Sequence, residues 1–196
     1  MAFYKSCLWE RRIYMRCGFA YITNPNKRHI GLSILIGIIV GIIGAFAKWG
    51  WEVPFPPRNP DIFWPIDAAA RVTPPKVLLD MLGIGDWHVM FSGIVQPVDV
   101  FIVHVLFSVI FGIMYCVIAE YWPRIKMWQG TVFGFFVYFL AHCIVMPWMG
   151  LVPPLTEIPF DEQFSELFGH IWWLWIMELC RRDLRNRMTG KADPEK

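Results

Sequence analysis

Four long apolar stretches, separated by polar and proline-containing segments, dominate the pattern along the chain. They cover residues 30–49, 98–121, 128–151 and 164–180. Each is about 17–24 residues long, close to the roughly 20 residues that a helix needs to cross the hydrocarbon core of a membrane. The pattern therefore predicts an all-α membrane protein with four transmembrane helices.

The composition agrees with this prediction. Hydrophobic residues make up 56% of the 196-residue chain and charged residues 17%, a balance typical of integral membrane proteins. The remaining residues are too few for a separate soluble domain, so 1–196 is interpreted as one membrane domain. Residues 1–29 would form a cytoplasmic or interfacial arm, 50–97 a long outer segment, and 181–196 a tail.

Lysine and arginine alternate between the connections. The arm carries six of them, the loop 122–127 two and the tail six, whereas residues 50–97 carry three and the loop 152–163 none. Basic residues stay on the cytoplasmic side of a membrane. We therefore expect both termini to be cytoplasmic and residues 50–97 to be periplasmic.

The outer segment is too long for a bare connection and should have structure of its own. Thr73, Pro74 and Pro75 form a helix-start signal, and Gly83 or Gly85 would end that helix. One short helix is therefore expected between the first two spans.

Small residues recur every four positions along the first span, at Ser33, Gly37, Gly41 and Ala45. Such a stripe lets another helix approach closely, in the same chain or in a neighbouring one. Helix packing is its predicted role, and we expect a homo-oligomer formed through it.

Three of the four spans each carry one histidine at a similar depth: His104, His142 and His170. Glu166 lies one helical turn from His170, and Lys48 and Glu52 end the first span at about the same level. Ionisable groups within membrane helices are costly and often functional. Imidazole gains charge as the pH falls below neutral, so these six residues form a candidate layer that handles protons or ions.

The second span places His104, Ser108, Gly112, Cys116 and Glu120 at successive four-residue steps, which keeps them on one slowly drifting face. This face could line a route from the histidine layer towards the cytoplasm. Glu178 on the fourth span would join Glu120 in a second ionisable layer near the inner surface.

Plainer interpretations compete with this one. Each histidine could simply hydrogen-bond a serine or a backbone carbonyl of a neighbouring helix. Glu178 with Arg181 and Arg182, or Glu120 with Arg124, could form interfacial salt bridges. Histidines on facing helices could also ligate haem iron, and the three with Glu166 could hold zinc.

Motifs of soluble enzymes are missing from the sequence, including a Walker loop, a dinucleotide fingerprint, a CxxC pair and HExxH. The chain is therefore not expected to be an enzyme, and no cofactor or metal is assigned to it. The expected partners are the lipid bilayer, further copies of the chain, and ions or protons, but not nucleic acid.

Several strings resemble the YagU family of bacterial inner-membrane proteins: AKWGWEVPFPPR (47–58), YCVIAE (115–120), IKMWQG (125–130), ELFGH (166–170) and RRDLRNR (181–187). The resemblance runs from about Gly31 to Glu195. It implies a location in the bacterial inner membrane and an association with acid-stress tolerance, but it brings no functional residues with it.

The leading hypothesis is a pH-responsive proton or ion channel, or a transporter, built around the histidine layer. A membrane scaffold or adaptor that binds a partner through residues 50–97 is the main alternative. A haem- or metal-binding membrane oxidoreductase is the third.

Overall fold

The computed structural model describes residues 21–57 and 72–193. Most of the arm expected at residues 1–29 therefore lies outside the described residues, as do positions 58–71 of the outer segment. The helices are α1 (Ile30–Glu52), α2 (Pro74–Met81), α3 (Val98–Tyr121), α4 (Thr131–Leu140), α5 (Met146–Trp148) and α6 (Phe160–Thr189). Single 3-10 turns at Pro25–Lys27, Pro123–Lys126 and Leu155–Glu157 connect them.

Three helices in the described part of the chain are long and apolar enough to cross a membrane. These are α1, α3 and the continuous stretch Thr131–Trp148, which joins α4 to α5 through one π-helical turn. The second span was predicted to its exact bounds. The third is shorter than the predicted 128–151 because left-handed backbone at Trp128, Gln129 and Gly130 precedes it and a turn begins after Trp148.

The fourth predicted span, 164–180, lies inside the 30-residue helix α6. This helix follows Pro159, carries Asp161 and Glu162 in its first turn, and ends at Gly190 in the left-handed conformation. Ionisable residues are spread along its length, and α6 is less apolar than the three helices named above.

The helices pack side by side in the order α3, α1, α6, α4. Helix α1 contacts both α3 and α6, and α6 also contacts α4. The core between them is formed by Ile36, Val40, Tyr115, Trp173, Leu174 and Met177, all almost fully buried. Helices α3 and α4 are consecutive in the chain, yet over their described lengths their backbones rarely come close. The ring of Tyr115 stacks on that of Phe133, and elsewhere a cleft separates the two helices.

The small-residue stripe of α1 packs within the chain. A Cβ added to Gly41 would clash with the backbone of Ser108 and Val109, and one added to Gly112 would lie 2.5 Å from the Gly37 carbonyl oxygen. Ser33 and Ala45 at the ends of the stripe are also buried. This face therefore joins α1 to α3 and is not available to a second copy, so a homo-oligomer would need another surface.

The predicted short helix of the outer segment is present as α2, which begins at Pro74 and is followed by Gly83 in the left-handed region. A two-stranded antiparallel hairpin then follows, with β1 (His88–Phe91) pairing with β2 (Ile94–Pro97). The hairpin leads directly into α3.

Candidate functional site

Ionisable side chains gather at the end of the bundle where α1 ends and α3 and α6 begin. We call Lys48, Glu52, His142, Glu166 and His170 the histidine cluster. Glu166 and His170 share one face of α6, and Lys48 and Glu52 lie on the last two turns of α1. Side chains from α1, from α6 and from the stretch Thr131–Trp148 thus meet in one cluster.

Helix α4 delivers His142 from its π-helical turn, Ala141–Val145. Pro147 follows closely, and proline lacks the N–H that would bond the carbonyl of Cys143. This missing bond accounts for the locally widened helix. The same helix packs closely on α6 at Gly134, where an added Cβ would lie 2.6 Å from the backbone oxygen of His170.

The Glu166 carboxylate is the centre of the cluster. Its Oε2 atom lies 3.2 Å from Lys48 Nζ, 3.4 Å from His142 Nε2 and 3.8 Å from His170 Nδ1. Lys48 also forms an ion pair with Glu52 on its own helix. One ammonium and two imidazoles therefore surround a single carboxylate.

The two imidazoles touch each other at a steep angle. The rings of His142 and His170 have centroids 4.8 Å apart and planes inclined by 76°. His170 Nδ1 lies 2.7 Å from the Glu166 backbone oxygen, to which a protonated Nδ1 would donate, and the rings of Tyr138 and Trp173 pack beside it. His142, Glu166 and His170 have relative exposures of 6%, 5% and 2%, so any charge change here takes place out of bulk water.

His104 lies apart from this group. Its Nε2 is 3.3 Å from the Ala45 carbonyl oxygen, and its ring stacks on Trp49. It nevertheless lines the same cleft as Lys48 and His142, from the opposite wall. The structure therefore brings two of the three predicted imidazoles into contact and leaves the third across the cleft.

His142, Glu166 and His170 also present donor atoms that all lie within 4.8 Å of one another. Two imidazoles and a carboxylate are a set that zinc accepts. However, the Lys48 ammonium lies on the same carboxylate oxygen and already supplies a positive charge there. This ammonium would therefore compete with a metal ion for that oxygen.

The small-residue face of α3 does not line a passage, contrary to the route drawn from the sequence. Ser108 Oγ donates to the Gly41 carbonyl oxygen at 2.6 Å and accepts from Trp173 Nε1 at 2.8 Å. Gly112 and Cys116, further along the same face of α3, are also buried. Ser108 reaches the edge of the cleft, but the rest of this face serves contact between helices.

The opposite end of the bundle holds a second buried group, which we call the arginine network. Arg185 forms an ion pair with Glu120, which also accepts a hydrogen bond from the backbone N–H of His29 at 3.1 Å. Arg181 contacts both oxygens of Glu178, at 2.6 and 2.9 Å, and Tyr115 donates to Glu178 at 2.9 Å. These carboxylates are therefore held in fixed pairs.

Asp193 ties the C-terminal tail into this network. It contacts Arg181 and Lys126, each at 2.5 Å. Burial raises the pKa of Asp193, but its bonds with Arg181 and the charge of Lys126 outweigh burial and bring the pKa below its usual value. Burial and the neighbouring Arg181 lower the pKa of Lys126, although Asp193 opposes the shift.

Sequence reasoning missed Arg185, Asp193, Lys126 and Tyr115 as members of this end. Arg181 and Arg185 are four residues apart, a spacing that places both on one helix face. This spacing could have indicated that both contact the same group of carboxylates. The contacts of Asp193 depend on how the tail folds back, for which the sequence carries no local signal.

Comparison with known proteins identifies the family of the chain. The family model "Protein of unknown function (DUF1440)" matches residues 42–179. The chain is 44% identical over 192 residues to the inner membrane protein YagU of Escherichia coli (strain K12), an alignment that covers 88% of this chain and 94% of that protein. No solved structure matches. Together with the apolar helices, the relationship supports an inner-membrane location, and the chain belongs to the YagU (DUF1440) family.

Proposed function

We propose that this protein is a pH-responsive proton or ion pathway of the inner membrane that supports survival in acid, with the histidine cluster as its gate. The observation that carries the proposal is the Glu166 carboxylate, buried and contacted at once by Lys48, His142 and His170. The described conformation would be the closed state.

The charge balance of the cluster supports a gate. With neutral imidazoles, Lys48 carries one positive charge and Glu52 and Glu166 carry two negative charges. Protonation of His142 and His170 would leave three cations around two carboxylates in a buried site, where like charges repel strongly. His142 is on the π-helical turn that follows α4 and His170 is on α6, so the repulsion would push these two segments apart.

Other groups facing the cluster would modify this response. His104 faces it across the cleft from α3, Tyr138 packs on both imidazoles from α4, and Glu162 lies one turn before Glu166 on α6. The acidic loop 152–163 would raise the local concentration of protons at this end of the bundle.

The proposal includes four spans, with both termini cytoplasmic and residues 50–97 periplasmic. Helix α6 is 30 residues long, enough to cross a bilayer at about 1.5 Å per residue. Its ionisable residues Glu166, His170 and Glu178 are buried among partners inside the bundle, which is how membrane helices accommodate such groups. Single cysteines introduced at Glu157 and Lys191 should label from the periplasm and the cytoplasm, respectively.

The gate is tested with the purified full-length chain in proteoliposomes under an imposed pH gradient. Proton or cation flux should rise when the medium facing the histidine cluster is acidified. His142→Ala and His170→Ala should lose most of this rise, whereas His88→Ala, in the exposed hairpin, should respond like the parent. The gate is refuted if the two cluster variants retain the parent response.

A scaffold that binds a partner is a second candidate, favoured by the exposed apolar surface after α2. Leu82, Ile84, Trp87, Met90 and Phe91 are all more than half exposed. A partner that co-purifies with the parent but is lost in Trp87→Ser/Phe91→Ser, together with proteoliposomes that carry no flux at any pH, would favour this function over the gate.

A further inference from the structure

The cleft between α3 and α4 has no part in the proposed gate over most of its length. Its volume is about 630 Å³, within the range of about 300–1,000 Å³ typical of small-molecule sites. Phe107, Phe111 and Met114 line one wall and Phe136 and Val137 the other. Apart from one end, the lining is almost entirely apolar.

The cleft is long and narrow. On α3 its lining extends from Val100 to Ile118, a rise of about 27 Å at 1.5 Å per residue. An extended acyl chain with a small head group has about this length. The cleft volume of about 630 Å³ suits one such molecule better than a bulkier lipid with two acyl chains.

Polar groups are confined to the end beside the histidine cluster. Lys48, Glu52, His104, His142 and Glu166 all line the cleft there. With neutral imidazoles their net charge is −1, which disfavours an anionic head group. The imidazoles can donate and accept hydrogen bonds, which favours an uncharged head with hydroxyl or carbonyl groups.

Helix α2 closes this end from above. Thr73, Pro74, Pro75 and Leu78 contribute to the lining, so the polar end is covered by the outer segment while the apolar walls run on between α3 and α4. A ligand would enter sideways from the membrane, with its head towards α2.

We propose that the cleft binds one single-chain lipid with an uncharged polar head, such as a monoacylglycerol. Its chain would lie between α3 and α4, and its head would reach the polar groups beneath α2. This inference goes beyond the proposed gate and does not depend on it, since it rests on the shape and lining of the cleft.

The test uses the full-length chain in phosphatidylcholine nanodiscs and monooleoylglycerol with a photoactivatable group on its acyl chain. Labelling should saturate at one probe per chain and map to cleft residues such as Phe107, Met114 and Phe136. Met114→Trp, which fills the cleft, should weaken labelling by about tenfold or more, equivalent to about 1.4 kcal/mol. Ile110→Trp, at an exposed position outside the cleft, should label like the parent.

Competition identifies the head group. Unlabelled monooleoylglycerol should displace the probe, oleate at alkaline pH should compete about tenfold less well, and dioleoyl phosphatidylglycerol should not compete. Equal competition by all three would show that bulk lipid fills the cleft and would overturn the proposal. Labelling of the parent that maps outside the cleft would overturn it as well, even if Met114→Trp fails to fold. Neither result depends on ion flux, so the gate can stand or fall separately.

Discussion

The two ends of the bundle both bury ionisable side chains but use different chemistry. At the arginine network, Glu120 and Glu178 are each held by a guanidinium on α6. At the histidine cluster, Glu166 is shared between one ammonium and two imidazoles, all at 3.2 Å or more. At one end each carboxylate is bound by at least one guanidinium, whereas at the other a single carboxylate has longer contacts with an ammonium and two imidazoles.

This difference indicates which end can respond to pH. Guanidinium stays charged at every physiological pH and forms strong planar bonds with carboxylates. Imidazole changes its charge as the medium becomes acidic. The arginine network is therefore suited to holding the helices together, and the histidine cluster to changing their contacts.

The largest loss of stability is expected from Arg185→Leu. It leaves Glu120, which is 1% exposed, without its buried cation, and this should lower the free energy of unfolding by about 3–5 kcal/mol. Unfolding of the purified protein in detergent measures the change. Arg187→Leu, whose partner Asp183 is exposed, is the matched control and should cost about 0–1 kcal/mol. Equal costs for the two would contradict the assigned role of the network.

Lys48→Met tests the other end and should show a pH-dependent cost. The variant leaves Glu52 and Glu166 without their ammonium, and we expect a loss of about 2–3 kcal/mol at neutral pH, less than for Arg185 because Lys48 borders the cleft. The loss should shrink in acid, where protonation of carboxylates and imidazoles relieves the unpaired negative charge. A pH-independent loss would argue against a titratable cluster.

Gly112→Ala tests the close contact between α1 and α3, which lies between the two ends of the bundle. Its Cβ would lie 2.5 Å from the Gly37 carbonyl oxygen and 3.0 Å from Gly41 Cα, so α1 and α3 must separate, at a cost of about 1–3 kcal/mol. Gly31→Ala meets nothing within 4 Å and should be neutral or slightly stabilising. Thermal unfolding of both variants beside the parent decides the point, and a neutral Gly112→Ala would refute this close contact.

The smallest effect is expected from Asp193→Asn, which should lower the free energy of unfolding by about 1 kcal/mol near pH 7. This value lies between the costs of breaking an exposed and a buried ion pair. Because folding lowers the pKa of Asp193, its contribution is present above the unfolded value of about 3.9 and is lost as the pH falls through the folded value. The stabilities of parent and variant should therefore converge in strong acid. A gap that persists there would mean that Asp193 acts through something other than its charge.

The sequence predicted the helices well because their signals are local. Apolar runs of membrane length marked α1, α3 and the stretch around α4, and the run 164–180 marked the middle of α6. Helix geometry predicted a similar depth for all three histidines, and in the structure His142 and His170 are in contact.

Partner choice was less predictable because it depends on how helices are arranged in space. Nothing in the sequence shows that α3 and α4, neighbours in the chain, lie at opposite edges of the bundle with α1 and α6 between them. For the same reason His104 was expected beside the other histidines and Ser108 along a passage. The cleft follows from this order and could not have been foreseen.

The central claim is that His142 and His170 change charge together in acid while the arginine network keeps its pairs. The most direct measurement is a titration of their imidazole ¹⁵N signals in lipid bilayers, from about pH 7.5 to about pH 4.5, with assignments from the single histidine variants. The account predicts that both imidazoles become protonated within this range and that contacts between α4 and α6 change as they do. It would be contradicted if either imidazole stayed in one charge state throughout.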